Sequence, residues 1–371
     1  MNASERTNGL TFNPHVSALP PYNAGVNVAI ARAAAGREDI ARLGSNENFE
    51  GCSPKVMQAL ASGAFEPWRY ADPACTALRG ALAQRLSVDT AQIVVGNGSE
   101  EMIAAISRAM LVEKSTVVTV VPSFGLHEIE PLALGAQVTK VPMTSDFGFD
   151  IETLERTIAA GPRLVFLSSP WNPVGPALDA SNLQRLIKAV PAGTLFVLDE
   201  AYFEFADTGS VDGLELLRHS GVPYVVLRTF SKAYGLAGLR VGYAVCSDAE
   251  IARVVASAKT PFNVNAAAQL AAVAALEDEA WMTASVARLR LERDRVAQAL
   301  RAIGLRVAPS QTNFLFFETK GDSSQLATAL LQQGIIVKAW REPGYERFLR
   351  ATLGSAQDND RLLAALANHS H

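Results

Sequence analysis

The chain has 371 residues, of which 49% are hydrophobic and 19% are charged, and its net charge is −4. These values predict a globular enzyme with a large core, arranged as two domains or as one large domain with a smaller one. Nucleic acid is not expected as a partner, because neutralising phosphates requires dense clusters of Lys and Arg, which the sequence lacks.

The first twenty residues include Glu5 and Arg6 and no apolar signal segment, and no stretch approaches the ~20 apolar residues of a membrane span. We therefore expect a cytoplasmic protein without a membrane partner. The cysteines, Cys52, Cys75 and Cys246, have no metal-ligand spacing, so buried, reduced thiols are expected. The five histidines are scattered, and no metal site is predicted.

Residues 1–30 are rich in Pro, Asn and Gly and predict an extended N-terminal arm. Farther along, short β-branched runs alternate with amphipathic segments, which is typical of βαβ crossovers and a mostly parallel sheet. The predicted strands are Ile93–Val95, Thr116–Val121, Val138–Val141, Arg163–Ser168, Thr194–Leu198, Tyr224–Leu227 and Val241–Val245. The predicted helices begin at Glu100, lie near Leu126, and cover Ile151–Ala159 and Leu183–Ala189. The sequence therefore predicts a large α/β domain over residues 31–261 with a seven-stranded sheet.

Beyond Pro261 the pattern changes to longer helices and fewer strands. The predicted helices are Asn265–Leu276, Met282–Ile303 and Gln325–Gln332, and the predicted strands are Phe314–Phe317, Ile335–Val337 and Phe348–Leu353. We expect a smaller α+β domain over residues 262–371.

Two residues indicate the chemistry. Lys232 lies between an apolar strand and a glycine-rich turn, and Asp199 ends an almost wholly apolar strand. Ligands of open α/β sheets bind beyond the carboxyl ends of the strands. A lysine amine can form a Schiff base with an aldehyde, and a buried carboxylate can keep a pyridine nitrogen protonated, so the pair predicts pyridoxal 5′-phosphate. Taken alone, either residue could instead be a surface group or a helix cap.

A phosphate site is predicted at Gly96–Glu101, between a strand and a helix, because backbone N–H groups there can approach an anion at the helix start. A tight turn with Ser99 as N-cap is the alternative for this segment taken alone. Ser231 and Arg240, which flank the lysine turn, would add donors.

Further candidates follow other predicted strands. Asn172 and Tyr202 come soon after two of them, so both side chains are expected at the same sheet edge. Phe124 offers a ring to stack on a flat cofactor, although an aromatic residue here could equally belong to the core. Arg350 is a cation within an apolar strand and needs a partner, either a substrate anion or an internal salt bridge.

The order and spacing of these blocks are similar to a known family, the fold type I pyridoxal-phosphate-dependent aminotransferases. The similarity covers nearly the whole chain, through Leu19–Tyr22, Ser45–Asn48, Tyr70–Pro73, Gly96–Glu101, Asn172–Gly175, Asp199–Tyr202, Ser231–Lys232, Gly235–Arg240, Pro261–Asn265, Thr312–Phe314 and Leu349–Arg350. The blocks are specific for the family and less specific for the substrate.

The resemblance implies that Lys232 forms the Schiff base with the cofactor and then moves a proton between the substrate α-carbon and cofactor C4′. It also implies that Asp199 pairs with the pyridine nitrogen, while Asn172 and Tyr202 hydrogen-bond the phenolic oxygen. Phe124 stands where the family often has tyrosine, so the stacking ring is kept without its hydroxyl.

For the phosphate, the resemblance implies backbone groups of Ser99 and Glu100 and the side chains of Ser231, Arg240 and Tyr70. In this family the tyrosine comes from the partner subunit, which implies a homodimer with shared sites.

For the substrate, the resemblance implies a pocket lined by Tyr22, Asn46 and Arg350. Lys338 occupies a position where the family often has a second phosphate-binding arginine. A lysine keeps the positive charge but lacks the planar set of donors with which an arginine binds a phosphate through two hydrogen bonds. Trp171 and Val174 also depart from the family's usual Asn-Asn-Pro-Thr-Gly motif.

The implied reaction is ping-pong transamination with glutamate as the expected donor, and the similarity is greatest to the branch that acts on histidinol phosphate in histidine biosynthesis. Three alternatives stay open. The first is an aromatic amino acid aminotransferase, because Trp171, Phe124 and Tyr22 could form a flat pocket. The second is a threonine-phosphate decarboxylase using the same lysine, and the third is a ligand-binding module without catalysis.

Overall fold

The computed structural model of the protein describes residues 10–20, 25–207 and 209–368. The helices are α1 (Pro14–Ser17), α2 (Val28–Ala35), α3 (Pro54–Ala61), α4 (Thr76–Leu86), α5 (Gly98–Met110), α6 (Leu126–Ala133), α7 (Ile151–Ala159), α8 (Ala180–Lys188), α9 (Gly213–Arg218), α10 (Ala249–Ser257), α11 (Ala266–Leu276), α12 (Glu279–Ala302), α13 (Ser323–Gln332) and α14 (Ala356–Asn368). The strands are β1 (Ala41–Arg42), β2 (Ile93–Gly96), β3 (Thr116–Val121), β4 (Gln137–Pro142), β5 (Leu164–Ser168), β6 (Leu195–Asp199), β7 (Tyr224–Thr229), β8 (Gly242–Cys246), β9 (Arg306–Val307), β10 (Phe314–Glu318), β11 (Ile335–Ile336), β12 (Lys338–Ala339) and β13 (Phe348–Thr352). Short 3-10 turns lie at Thr90–Gln92, Phe203–Phe205 and Ala237–Leu239.

The large sheet has seven strands in the order β2-β8-β7-β6-β5-β3-β4. Strand β8 pairs antiparallel with both β2 and β7, and the other pairs are parallel. The prediction of a mostly parallel seven-stranded sheet is therefore confirmed. All strands except β8 end at the same edge, and β8 begins there, so the segments that follow β2, β3, β5, β6 and β7 converge.

The central strands are apolar throughout because both faces of the sheet are covered. In β6, Leu195 and Val197 pack in one core layer, with residues of α5 and α10, while Phe196 and Leu198 pack in the other. Burial on both faces removes the alternation that marks a half-exposed strand. The run that ends in Asp199 is apolar for this reason.

The C-terminal part contains a second sheet of four strands in the order β12-β13-β10-β9, all antiparallel. The predicted strand Ile335–Val337 is wrong in one respect, because the chain changes partner at Val337. Ile335–Ile336 pairs in parallel with β1, whereas Lys338–Ala339 pairs with β13. The pairing of β1 brings residues 41–42 against the C-terminal part, and the domain bounds at 31–261 and 262–371 stay predictions.

Over the described ranges, no helix combines the length and the apolar character needed to cross a membrane. The same ranges contain no group of three or more His, Cys, Asp and Glu side chains that could hold a metal ion.

Candidate active site

Lys232 lies in the turn after β7, at the edge of the sheet where the parallel strands end. Its Nζ donates a hydrogen bond to the Ser45 carbonyl oxygen at 3.1 Å and lies 6.0 Å from the centre of the Tyr202 ring. Burial is the main cause that lowers the pKa of Lys232 to about 8, and the nearby charges of Arg350 and Arg240 lower it further. About a tenth of the amine is therefore neutral and nucleophilic at pH 7, far more than for an ordinary lysine.

The lysine turn rests on the segment around residues 48–51. Asn48 donates through Nδ2 to the Ala233 carbonyl oxygen at 3.1 Å. Gly235 has a φ of +71°, and a Cβ atom built there would lie 1.8 Å from the Gly51 carbonyl oxygen. Any side chain would collide with this backbone, so Gly235 is required for the turn that presents Lys232.

Asp199, the last residue of β6, is buried and is held on both carboxylate oxygens. Its Oδ2 lies 3.0 Å from His127 Nε2, and its Oδ1 accepts the Ala201 N–H at 3.1 Å. His127 is buried, and its ring is parallel to that of Phe166 with 5.1 Å between the centres. The sequence patterns did not predict a role for His127. Its position three residues after Phe124, on the first turn of α6, was the available signal.

The predicted phosphate site forms around the start of α5. Gly98 has a φ of +79°, and a Cβ atom there would lie 2.6 Å from Arg240 Nη2. Arg240 pairs with Glu100 at 2.9 Å and donates to Ser231 Oγ at 3.4 Å. The helix begins at Gly98 after Asn97, so Ser99 lies inside the first turn and is not the N-cap. A helix start, a hydroxyl group and a guanidinium group thus meet where an anion could bind.

A second residue that the sequence patterns did not predict, Glu101, fixes the loop before α5. Its Oε2 accepts the Asn97 N–H at 2.7 Å and a hydrogen bond from Asn263 Nδ2. Beside Asn263, the ring of Phe262 stacks on Tyr70 with 4.6 Å between the centres. Tyr70 is 85% exposed, so its side chain is directed outward from this chain.

Asn172, Arg350, Asn46 and Tyr202 form two hydrogen-bonded pairs at the site. Arg350 donates through Nη1 to Asn172 Oδ1 at 2.7 Å and through Nη2 to the Gly44 carbonyl oxygen at 2.8 Å. Asn46 donates through Nδ2 to the Tyr202 hydroxyl oxygen at 2.7 Å. All four side chains are buried, which makes their relative positions firm.

Lys338 lies directly opposite Arg350 in the pairing of β12 with β13, so both side chains leave the same face of the small sheet. Burial lowers the pKa of Lys338 to about 8, and the charge of Arg350 adds to the effect. Lys338 also lines a cavity of about 320 Å³ with Val26, Leu331 and Arg341. Two cations, Lys338 and Arg350, therefore stand side by side on the small sheet.

The expectation that Trp171 lines a flat substrate pocket is wrong. The indole is fully buried, donates through Nε1 to the Pro122 carbonyl oxygen at 2.8 Å, and stacks on Phe149 at 4.6 Å. Phe124 is partly buried and contacts His127 edge to face, with 5.7 Å between the centres. Tyr22 lies outside the described residues.

Comparison with known proteins gives consistent matches. The family model described as aminotransferase class I and II matches residues 38–366. The chain is 41% identical to histidinol-phosphate aminotransferase 3 of Rhizobium meliloti (strain 1021), over 95% of both chains. It is also 41% identical to histidinol-phosphate aminotransferase 1 of Mesorhizobium japonicum, over 94% of this chain and 95% of that one. A crystal structure of histidinol-phosphate aminotransferase from Sinorhizobium meliloti in complex with pyridoxal 5′-phosphate aligns with a TM-score of 0.88 and 30% identity, covering 97% of both chains.

The lowered pKa of Lys232 predicts how uptake of an aldehyde depends on pH. Only the neutral amine attacks, so the rate of pyridoxal 5′-phosphate uptake should rise up to pH about 8 and level off above it. An ordinary lysine would give a rate that still rises about tenfold from pH 8 to pH 9. Stopped-flow absorbance of the apoprotein mixed with the aldehyde measures the profile. Lys338→Met is the control, because it removes the other lysine with a pKa of about 8 and should leave the midpoint unchanged.

Proposed function

The chain belongs to the class I and II aminotransferases, and we propose that it is a pyridoxal 5′-phosphate-dependent histidinol-phosphate:2-oxoglutarate aminotransferase. The single observation that carries the substrate assignment is the pair of neighbouring cations, Arg350 and Lys338, on one face of the small sheet. The names of the relatives at 41% identity support the same assignment.

The residues at the sheet edge fit the cofactor. Lys232 supplies an amine whose pKa is lowered to about 8, Asp199 a buried carboxylate, and the start of α5 with Ser231 and Arg240 an anion site. When bound, pyridoxal 5′-phosphate supplies an electron sink that stabilises negative charge at the substrate α-carbon. Lys232 would hold the aldehyde carbon and then carry the proton between that carbon and the substrate α-carbon.

Asp199 would keep a proton on the pyridine nitrogen. Its carboxylate is oriented by His127 on one oxygen and by the Ala201 N–H on the other. Because both contacts are fixed by buried groups, the carboxylate would not need to reorient when the heterocycle arrives.

Asn172 would connect Arg350, the cation proposed to bind the substrate, with the cofactor. Arg350 can only donate hydrogen bonds, so the amide oxygen of Asn172 must face it. The amide NH₂ group is then the part of Asn172 that can donate to the phenolic oxygen. Tyr202 accepts a hydrogen bond from Asn46, so its own hydroxyl proton is donated in another direction.

The cation pair suits a phosphate ester better than a single carboxylate. A phosphate monoester carries a charge of about −1.5 to −2 at neutral pH, whereas a carboxylate carries one negative charge. Burying Lys338 beside Arg350 disfavours its charged form, and a dianion would offset that repulsion. The aromatic alternative loses support because Trp171 belongs to the core.

A panel of half-reactions tests the assignment. Histidinol phosphate, phenylalanine, tyrosine and threonine phosphate are added separately to the holoenzyme, and loss of the visible absorbance of the bound cofactor is followed. We expect histidinol phosphate to react with a rate constant over dissociation constant at least about tenfold above the others, equivalent to about 1.4 kcal/mol. A tenfold preference for phenylalanine would contradict the proposal. Release of CO₂ from threonine phosphate without amino transfer would favour the decarboxylase.

Lys338→Met should weaken recognition of the phosphate group specifically. We expect the efficiency with histidinol phosphate to fall about tenfold or more, because one of two charge-assisted contacts is lost. Histidinol, which has the same amine and imidazole ring without the phosphate, should react about equally with wild type and variant. Lys338→Arg serves as the matched control and should retain the discrimination. An equal loss with both substrates would show that Lys338 does not contact the phosphate.

We also infer a cytoplasmic homodimer with shared sites. The free thiols Cys52, Cys75 and Cys246 suit a reducing compartment. Tyr70 supports the shared site because it is 85% exposed and held by the ring of Phe262, as a side chain offered to a second subunit would be.

Mixed dimers test the role of Tyr70. Lys232→Ala and Tyr70→Ala each damage the sites of their own homodimers. If Tyr70 acts in the partner's site, random exchange of the two variants should restore roughly a quarter of the sites to wild type. The recovery is measured as turnover at limiting cofactor. Mixing Lys232→Ala with the double variant Lys232→Ala/Tyr70→Ala is the control and should restore none. No recovery in the first mixture would mean that Tyr70 serves its own chain.

A further inference from the structure

The segment from Val121, the last residue of β3, to Phe124 is held by side chains from two other parts of the chain. Phe124 has no hydrogen-bonding group in its side chain, and its ring meets His127 only edge to face at 5.7 Å. No side-chain hydrogen bond can orient the ring, so its position depends on apolar packing and on the backbone that carries it.

Tyr345 holds the first residue of the segment. Its hydroxyl group donates to the Val121 carbonyl oxygen at 3.0 Å, and that oxygen also accepts the Met143 N–H at 2.8 Å. Tyr345 lies between β12 and β13, on the stretch that connects Lys338 with Arg350. The hydrogen bond of Tyr345 thus links the end of β3 directly to the segment between Lys338 and Arg350.

Trp171 holds the second residue. Pro122 has no N–H, so its carbonyl oxygen is its only backbone hydrogen-bonding group, and the indole of Trp171 donates to it at 2.8 Å. The indole is fully buried against Phe149, and the backbone N–H of Trp171 donates to the Pro176 carbonyl oxygen at 2.8 Å. This donor cannot easily move, and it immediately precedes Asn172.

Glu342 acts on the third residue. Its carboxylate accepts a hydrogen bond from Trp340 Nε1 at 3.1 Å, and the backbone of Ser123 also bonds to it. Three consecutive residues before Phe124 are therefore held through their backbones by Tyr345, Trp171 and Glu342.

We propose that Trp171 and Tyr345 are positioning residues that hold Phe124 against one face of the cofactor ring. Trp171 departs from the usual asparagine of the family's motif, and Phe124 departs from its tyrosine. The hydrogen bonds from Trp171 and Tyr345, which we call the brace, hold the backbone before Phe124. They supply the orientation that the Phe124 side chain, which lacks a hydroxyl group, cannot supply itself. This inference rests on the cofactor position given by the proposed function.

Two single substitutions each remove one hydrogen bond of the brace and change the shape of the side chain little. Trp171→Phe keeps a ring against Phe149 and removes the N–H, and Tyr345→Phe removes only the hydroxyl group. We expect each variant to release the cofactor about three- to tenfold faster than wild type, as the loss of one buried hydrogen bond predicts. The visible circular dichroism per bound cofactor should also fall, because the ring is held less firmly. The double variant should release the cofactor more slowly than the product of the single effects predicts, because both side chains act on one segment.

The controls are Trp281→Phe on α12 and Tyr224→Phe on β7, which alter the same residue types elsewhere in the fold. They should leave the release rate and the dichroism per bound cofactor unchanged. If Trp171→Phe does not fold, Tyr345→Phe still decides the question. If the variants have a lower free energy of unfolding but unchanged dichroism, and release the cofactor within about twofold of the wild-type rate, the positioning role is wrong and the proposed function is unaffected. Failure of the wild type to take up the cofactor would overturn the proposed function with it.

Discussion

The site depends on the buried guanidinium group of Arg350. A charge in this position must be surrounded by acceptors, because an unsatisfied buried cation is far more costly than an exposed one. Two of those acceptors are Asn172, at the edge of the large sheet, and the Gly44 carbonyl oxygen, just after β1. Three distant parts of the chain therefore have to assemble before this cation is stable. Under the proposed function, the same contacts fix the cation that a substrate anion would approach.

The electrostatics of the site follow from the same crowding. Burial is the main cause that lowers the pKa of both Lys232 and Lys338, and the charge of Arg350 lowers both further. A neutral amine is the reactive form of a lysine, so this effect would favour the reaction proposed for Lys232. For Lys338 it is a penalty that an anionic ligand would offset. Under the proposed function, the charge of Arg350 thus favours the reactive form of Lys232 and makes charged Lys338 dependent on an anionic ligand.

The sequence predicted the large sheet well because its central strands are buried on both faces and apolar throughout. It also predicted Lys232, Asp199, Asn172 and Arg240 at one edge, since parallel strands deliver the following residues to the same place. It did not predict His127, whose partner Asp199 is distant in sequence, or Glu101, which joins the nearby Asn97 N–H to the distant Asn263. It left open that Trp171 lines a flat pocket, because an aromatic residue beside Asn172 suits a core and a binding surface equally well. The change of partner at Val337 depends on pairing between distant strands, which local periodicity does not report.

The contact of Gly235 with the Gly51 carbonyl oxygen has a consequence for the order of folding. The turn that presents the lysine reaches its folded environment only when residues 48–51 pack against it, although they are far away in sequence. Contacts of such long sequence separation are expected to form late, because the entropy of closing the loop must be overcome first. An incompletely folded chain would therefore not present its reactive amine correctly. Capture of a free aldehyde would be restricted to molecules whose architecture is already complete.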